Sequence, residues 1–299
     1  MLAHGALLAV ALIYGANYII AKGVMQDGIL SPKSFISFRV GFGLIAFWLV
    51  HTLWIKERIE RKDIPRLILC GLFGIALNQL FFFMGLEKTT PIHASLLMVT
   101  NPILVFILSA IILKERISFL KSAGIILGLG GTVSLLLADQ RIGFSGDTLV
   151  GDLMVWFNAS CYALYLVLVK PLMKRYHPFT VVKWSFTFGA LIVFPVSFTE
   201  LQAVDLSLIQ GKYIWQVVYV LLGTTFLAYA LNAFALKTVT PTVVSIYIYL
   251  QPLIAATLSV LMGWEAITAL KVFAATMIFA GVFMVSRKKK QKLSQTDKG

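Results

Sequence analysis

Residues 85–136 read GLEKTTPIHASLLMVTNPILVFILSAIILKERISFLKSAGIILGLGGTVSLL, and residues 235–286 read ALKTVTPTVVSIYIYLQPLIAATLSVLMGWEAITALKVFAATMIFAGVFMVS. An ungapped shift of 150 lays one on the other. Leu86 then meets Leu236, Thr90-Pro91 meets Thr240-Pro241, Ser95 meets Ser245 and Pro102 meets Pro252. Further on, Leu108-Ser109 meets Leu258-Ser259, Glu115 meets Glu265, Ile117 meets Ile267, Leu120-Lys121 meets Leu270-Lys271 and Gly131 meets Gly281. Upstream, with small gaps, Tyr14 and Lys22 match Tyr162 and Lys170, and Pro32 and Gly43 match Pro178 and Gly189. Chance pairs apolar residues readily but rarely aligns both prolines and the Glu115–Glu265 pair in order. The chain therefore reads as two related halves, and a repeat constrains the architecture before any local assignment.

The 299 residues are 59% hydrophobic and 13% charged, against roughly 45–50% and ~25% in soluble domains. Ten apolar stretches are each long enough to cross a bilayer, which takes ~20 residues: 3–22, 34–54, 66–86, 91–113, 120–138, 150–170, 179–199, 213–236, 241–262 and 267–286. The runs are continuous rather than alternating, which predicts helices and not barrel strands, since lipid offers no partner to a free backbone N–H. Five spans per half is an odd number, so the second half enters from the opposite side. The expected fold is an all-α integral membrane protein, ten transmembrane helices as two inverted five-helix repeats. The divisions are residues 1–138, an outside linker at 139–149, residues 150–286, and a basic cytoplasmic tail at 287–299.

The net charge of +13 reads as topology rather than as nucleic-acid binding. With the N-terminus inside, nineteen of the 26 Lys and Arg fall on inner segments and six on outer ones, a strong positive-inside bias that places both termini in the cytoplasm. The repeat agrees: inner Lys114-Glu115-Arg116 corresponds to outer Trp264-Glu265-Ala266, so the acid stays and both bases go. The first span lacks the basic lead and cleavage site of a signal peptide. Cys70 and Cys161 lie within spans, so no disulfide framework is expected. His4, His51, His93 and His177 are scattered over separate segments, which argues against a metal site, and no cofactor motif is present. No catalytic signature such as HExxH or G-x-S-x-G occurs, so the expectation is not an enzyme.

The chain resembles the drug/metabolite transporter superfamily in its ten-helix EamA-type branch. The residues that carry the resemblance are Tyr14-Gly15-Ala16-Asn17 leading to Lys22, Phe38-Arg39, and the run from Thr90-Pro91 through Asn101-Pro102 and Glu115-Arg116-Ile117 to Gly128 and Gly131, with Gly151-Asp152 opening the second copy. It extends over about residues 5–286. Lys114 departs from it, standing where the family often has Gly. The resemblance implies export of amino acids or other small metabolites and does not identify the substrate. The charge pattern suits a bacterial inner membrane.

Transporter sites of inverted repeats lie near the midplane, at helices interrupted in matching positions. Pro102 and Pro252 are such positions, because proline removes one intrahelical hydrogen bond and kinks the helix. Asn101 and Gln251 stand beside them, either lining a site or satisfying the freed carbonyls. Spacing puts Tyr14 with Asn17 on one face, Asn158 with Tyr162 and Tyr165 on another, and Tyr247 with Gln251 on a third. Asn78 and Gln79, and Tyr229 and Asn232, are further polar groups within spans. Together they predict an aromatic and polar cavity for a small solute. Arg39 is expected to be the only ionised group deep in a span, holding a substrate carboxylate or snorkelling to a helix end. Lys22 reads as an interfacial anchor, and His93 either as a group that titrates during transport or as one that only faces an interfacial cavity. Gly124 and Gly128 form a GxxxG that serves packing within the chain or in a dimer.

No Asp or Glu falls at mid-span, which disfavours cationic drugs and a carboxylate proton relay. Two other readings stay open: a carrier of phosphorylated or nucleotide-linked solutes, which would want several converging cations, and a non-transporting membrane scaffold. Expected partners are the bilayer and a small solute, with monomer and homodimer both open.

Overall fold

The computed structural model describes residues 1–26, 28–137, 148–261 and 268–287. Beside the short helix Phe198–Gln202 and the 3-10 turn Leu206–Leu208, they form ten long helices in chain order: α1 Leu2–Gln26, α2 Pro32–Ile55, α3 Arg61–Lys88, α4 in two segments Pro91–Met98 and Asn101–Ile112, and α5 Phe119–Leu137. The second five are α6 Leu149–Arg175, α7 Pro178–Val196, α8 Lys212–Thr238, α9 as Pro241–Ile246 and Leu250–Leu261 joined by the 3-10 turn Tyr247–Tyr249, and α10 Ala269–Ser286. Among the described residues nine of these are long and apolar enough to cross a membrane, and the apolar stretch Leu2–Asn17 of α1 is shorter. Large apolar side chains face outward around the bundle, among them Ile45, Trp54, Ile111, Ile126, Leu191 and Phe283. The chain is an integral membrane protein of the expected all-α class. The linker residues 139–147, Glu265 with its neighbours, the side chain of Lys22 and the basic tail beyond Arg287 lie outside what is described.

Helix starts follow from the sequence. Ser31 and Thr90 accept hydrogen bonds from Ser34 N and His93 N, and a proline follows each cap in the first turn, where its missing N–H loses nothing. Lys114, the departure from the family pattern, has φ +54 and ends α4 in the left-handed region that glycine adopts without strain. Lys56 does the same after α2, with φ +53.

Helices of opposite halves pack together in matched pairs. α3 lies on α6 as α1 lies on α8, α4 on α6 as α1 on α9, and α5 runs along α10. The α5–α10 seam is set by glycine. A Cβ on Gly281 would sit 2.5 Å from Gly124 O, and one on Gly131 would sit 2.8 Å from Ala274 O. Under the 150-residue shift these are the same contact seen from either half. The GxxxG of Gly124 and Gly128 therefore faces α10 and Tyr249 of its own chain.

Interruptions also match. α3 widens into i→i+5 turns at Leu72–Ala76 and α8 at Tyr219–Leu227. α4 breaks at Val99 and Thr100, whose N–H groups reach back only to Leu96 O and Leu97 O, and α9 tightens at Tyr247–Tyr249. Both breaks fall within the turn before Pro102 and Pro252, where the ring crowds the preceding backbone.

Candidate substrate cavity

Between the halves lies a cavity of about 90 Å³. α1 lines it with Leu7, Val10, Ala11, Tyr14 and Asn17; α2 with Arg39; α3 with Asn78, Gln79, Phe82 and Phe83. Met98 reaches it from the break in α4, Asn158 and Tyr162 from α6, Tyr229 and Asn232 from α8. The tight turn of α9 and its flanks supply Val244, Tyr247, Ile248 and Gln251. Ten of the twelve expected site residues thus meet in one wall. Asn158, one helical turn before Tyr162, also lines it, as their shared face suggested.

Two expected residues do not. Asn101 is fully buried, and its Nδ2 donates to Ala159 O of α6 at 2.7 Å, so it ties the broken helix to a neighbour. Tyr165 packs instead onto Gly74, where a Cβ would approach its ring to 2.3 Å. It shares a face with Asn158 but stands about 10 Å further along the helix axis, at 1.5 Å per residue. At that level the wall is α3 backbone rather than cavity.

The wall is knitted across the halves. Asn158 Nδ2 donates to Asn78 O at 2.6 Å, Tyr229 OH to Gly74 O at 3.1 Å, and Asn232 Nδ2 to Tyr162 OH at 3.3 Å. The acceptor at Gly74 lies in the widened stretch of α3, a kind of distortion that often marks functional sites. Asn17 Oδ1, Gln79 Oε1 and Asn158 Oδ1 are buried and lack a hydrogen-bond partner, so three acceptors stand ready at the wall.

Arg39 is 4% exposed. Its Nε donates to Thr225 Oγ1 at 2.9 Å, and its guanidinium lies over the Phe83 ring, 4.8 Å from the centroid. Thr225 sits in the widened stretch of α8. Among the described residues two further cations are buried, each near the end of its helix. Lys170 is buried in α6, and its ammonium donates to Leu236 O and, at 2.7 Å, to Val239 O, capping the C-terminal end of α8. Lys183 is buried in α7 against His51, 3.2 Å away, and over the Trp48 and Trp184 rings. Neither lysine lines the cavity. Both stand near the ends of the expected spans 150–170 and 179–199 and count with the inner segments.

Two histidines each bridge a broken helix and the first helix of the other half. His93 Nδ1 of α4 lies 3.3 Å from Asp152 Oδ2 of α6, and Asp152 Oδ1 accepts from Thr89 Oγ1 at 2.5 Å. His4 Nδ1 of α1 lies 2.8 Å from Tyr247 OH of α9. The partner of His93 was not legible, because Asp152 reads only as the opening of the second copy. Ion pairs away from the cavity brace helix ends. Arg175 Nη1 reaches Asp63 Oδ1 at 2.6 Å, with Tyr176 OH donating to Asp63 Oδ2 at 2.7 Å, and Lys33 Nζ reaches Glu200 Oε1 at 2.6 Å. The Lys33 ammonium holds the Glu200 carboxyl below the usual carboxylate range. Among the described residues no cluster of His, Cys, Asp or Glu could hold a metal ion, and none that lines the cavity is acidic.

The model of the EamA-like transporter family matches residues 1–137 and residues 149–287. The chain is 27% identical over 287 residues to the uncharacterized transporter YyaM of Bacillus subtilis, covering 94% of this chain and 92% of that one. It is 25% identical to the uncharacterized inner membrane transporter YicL of Salmonella typhimurium, covering 93% of each, and 25% identical to the WAT1-related protein At3g53210 of Arabidopsis thaliana, covering 94% and 84%. A solved crystal structure superposes with a TM-score of 0.76 at 20% identity, over 95% of this chain and 96% of its own, a likeness of fold.

Proposed function

The chain belongs to the EamA-like transporter family, and from that premise we propose that it is a secondary transporter that exports amino acids or related small metabolites by alternating access. The observation that carries the reading is the cavity where the two halves meet, walled by the broken α4 and α9 and by polar and aromatic groups of both halves. A matched pair of interrupted helices around one site is what rocking of one half against the other requires. The three unpartnered amide oxygens and Arg39 supply hydrogen bonding of both senses to a small polar solute. With this go the two inverted repeats, residues 1–138 and 150–286, and both termini in the cytoplasm of a bacterial inner membrane, a topology supported by the basic inner loops.

Counterflow in proteoliposomes tests the reading, with a panel of labelled amino acids and wild type beside Gln251→Ala. Saturable uptake of one class, lost in Gln251→Ala while the variant keeps its unfolding temperature, is the expected result. No counterflow by folded wild-type protein, for amino acids and then for phosphorylated solutes, would leave the scaffold reading in its place. A carboxy-terminal fusion to a reporter active only in the cytoplasm tests the topology, and activity from the other side would invert it.

A further inference from the structure

Arg39 is a buried cation on the cavity wall for which, among the described residues, the structure provides no carboxylate. One of its five N–H groups is taken by Thr225 and one face of its plane by Phe83. These contacts fix the fork and leave its outer edge to the cavity. An unpaired ion in a low-dielectric site is costly, and such residues within a membrane pair with one another or mark a substrate path. The rest of the wall is neutral: tyrosines, amides and apolar groups. It offers an ammonium group only neutral oxygens, among them the unpartnered amide oxygens of Asn17, Gln79 and Asn158, which are dipoles and not counter-ions.

We propose that a carboxylate is the compulsory recognition element of the transported solute, docked two-pronged on Arg39, and that an ammonium group is dispensable. The inference rests on the transport reading above and narrows it to carboxylate-bearing solutes, amino acids among them, with organic monoanions equally admissible. Planar anions suit the arginine fork better than a lysine point charge. A solute without the carboxylate leaves Arg39 buried and unpaired, whereas one without the ammonium leaves only amide oxygens that water can serve.

The test compares analogues on the wild-type full chain, so that folding is not at issue. Two series serve as probes: L-phenylalanine, 3-phenylpropanoate and 2-phenylethylamine, and L-leucine, 4-methylpentanoate and 3-methylbutylamine. Binding is read by thermal stabilisation in detergent, and transport by inhibition of counterflow. In the series that binds, the amino acid and its deaminated acid are expected within about tenfold of each other, and the amine at least ~100-fold weaker. Arg39→Gln should bring acid and amine to the same weak level, and Arg39→Lys should recover only part of the difference. An amine that binds as well as its acid overturns the inference, as does failure of every carboxylate in both series. Counterflow of a solute that lacks a carboxylate would overturn it while the transport reading stands. Carboxylate binding that depends on Arg39, with no counterflow of any solute, would uphold the recognition rule and sink the transport reading.

Discussion

Replacing Gly281 by alanine drives one methyl group into the backbone of the opposite half. The new Cβ would lie 2.5 Å from Gly124 O, 2.7 Å from Gly128 N and 3.0 Å from Gly128 Cα. All three neighbours are main chain, so no side chain can swing aside. Restoring ordinary contact near 3.4 Å requires α5 and α10 to part by about 0.9 Å, which opens the seam along its length. Overpacking of this kind costs ~1–3 kcal/mol, offset by ~0.5–1 kcal/mol for removing a glycine from a helix interior. The net expectation is a loss of about 1–2 kcal/mol. The repeat mate, Gly131→Ala, meets Ala274 O at 2.8 Å, needs about 0.6 Å, and should lose less. Gly223→Ala is the control, since its nearest neighbour is a side-chain atom at 3.6 Å, and it should be neutral or slightly stabilising. Thermal unfolding of the purified variants in one detergent gives the order Gly281→Ala below Gly131→Ala below Gly223→Ala. Gly281→Ala melting at or above wild type would refute the claim that backbone contact fixes this seam.

Lys114→Gly relieves a left-handed residue and should raise stability by about 1 kcal/mol; Lys114→Ala, which removes the same charge but keeps the Cβ, is the control in the same melt and should gain nothing. Lys170→Met removes the donor to Leu236 O and Val239 O and should cost about 2 kcal/mol, with faster amide hydrogen exchange over residues 236–241 and partial recovery in Lys170→Arg. Thr225→Val takes the acceptor from Arg39 Nε and should weaken carboxylate solutes about tenfold, with Thr225→Ser restoring them; an unchanged affinity would mean that Thr225 does not position the guanidinium. Because Lys33 depresses the Glu200 carboxyl, the stabilisation from that pair is full above the ordinary value of 4.5 and is lost as pH falls through the folded one. Lys33→Met should remove most of that acid-side dependence, which a pH series of melting temperatures measures.

The helices were legible because a bilayer demands long apolar runs, and the halves because proline, glycine and glutamate recur at one spacing. Ser31-Pro32 and Thr90-Pro91 announce helix starts through chemistry that is local. The site was legible in kind, since polar groups within spans must face protein or water, and ten of the expected residues do line the cavity. What stayed hidden depends on distance through space. Asn101 looks like a site residue until Ala159 O is found 2.7 Å from its amide. Tyr165 is claimed by a neighbour, Gly74, that lies 91 positions earlier and offers a groove no spacing rule foretells. Lys170 and Lys183 stand near the ends of the expected spans, and nothing in their spacing foretells that one caps α8 and the other packs on His51.

The matched and unmatched positions of the two halves divide by task. Gly131 and Gly281, Pro102 and Pro252, and the widened stretches of α3 and α8 correspond, and all of them shape backbone. The cavity corresponds only in part: Tyr14 and Tyr162 match and both line it, but its charge does not. Arg39 of α2 falls opposite Ser185 of α7, whose hydroxyl donates to its own helix at Val181 O, and Gln79 of α3 falls opposite Tyr229 of α8. In the proposed transport cycle, two halves with like hinges pass through like conformations from either side, which is the symmetry that alternating access needs. A single solute has no such symmetry. Were Ser185 also an arginine, a second buried guanidinium would repel the first and would call for another anion. One cation, placed in one half and steadied by Thr225 of the other, orients a carboxylate without holding it equally in two poses. On this reading the break in symmetry at Arg39 serves recognition, while the symmetry kept in the helices serves movement.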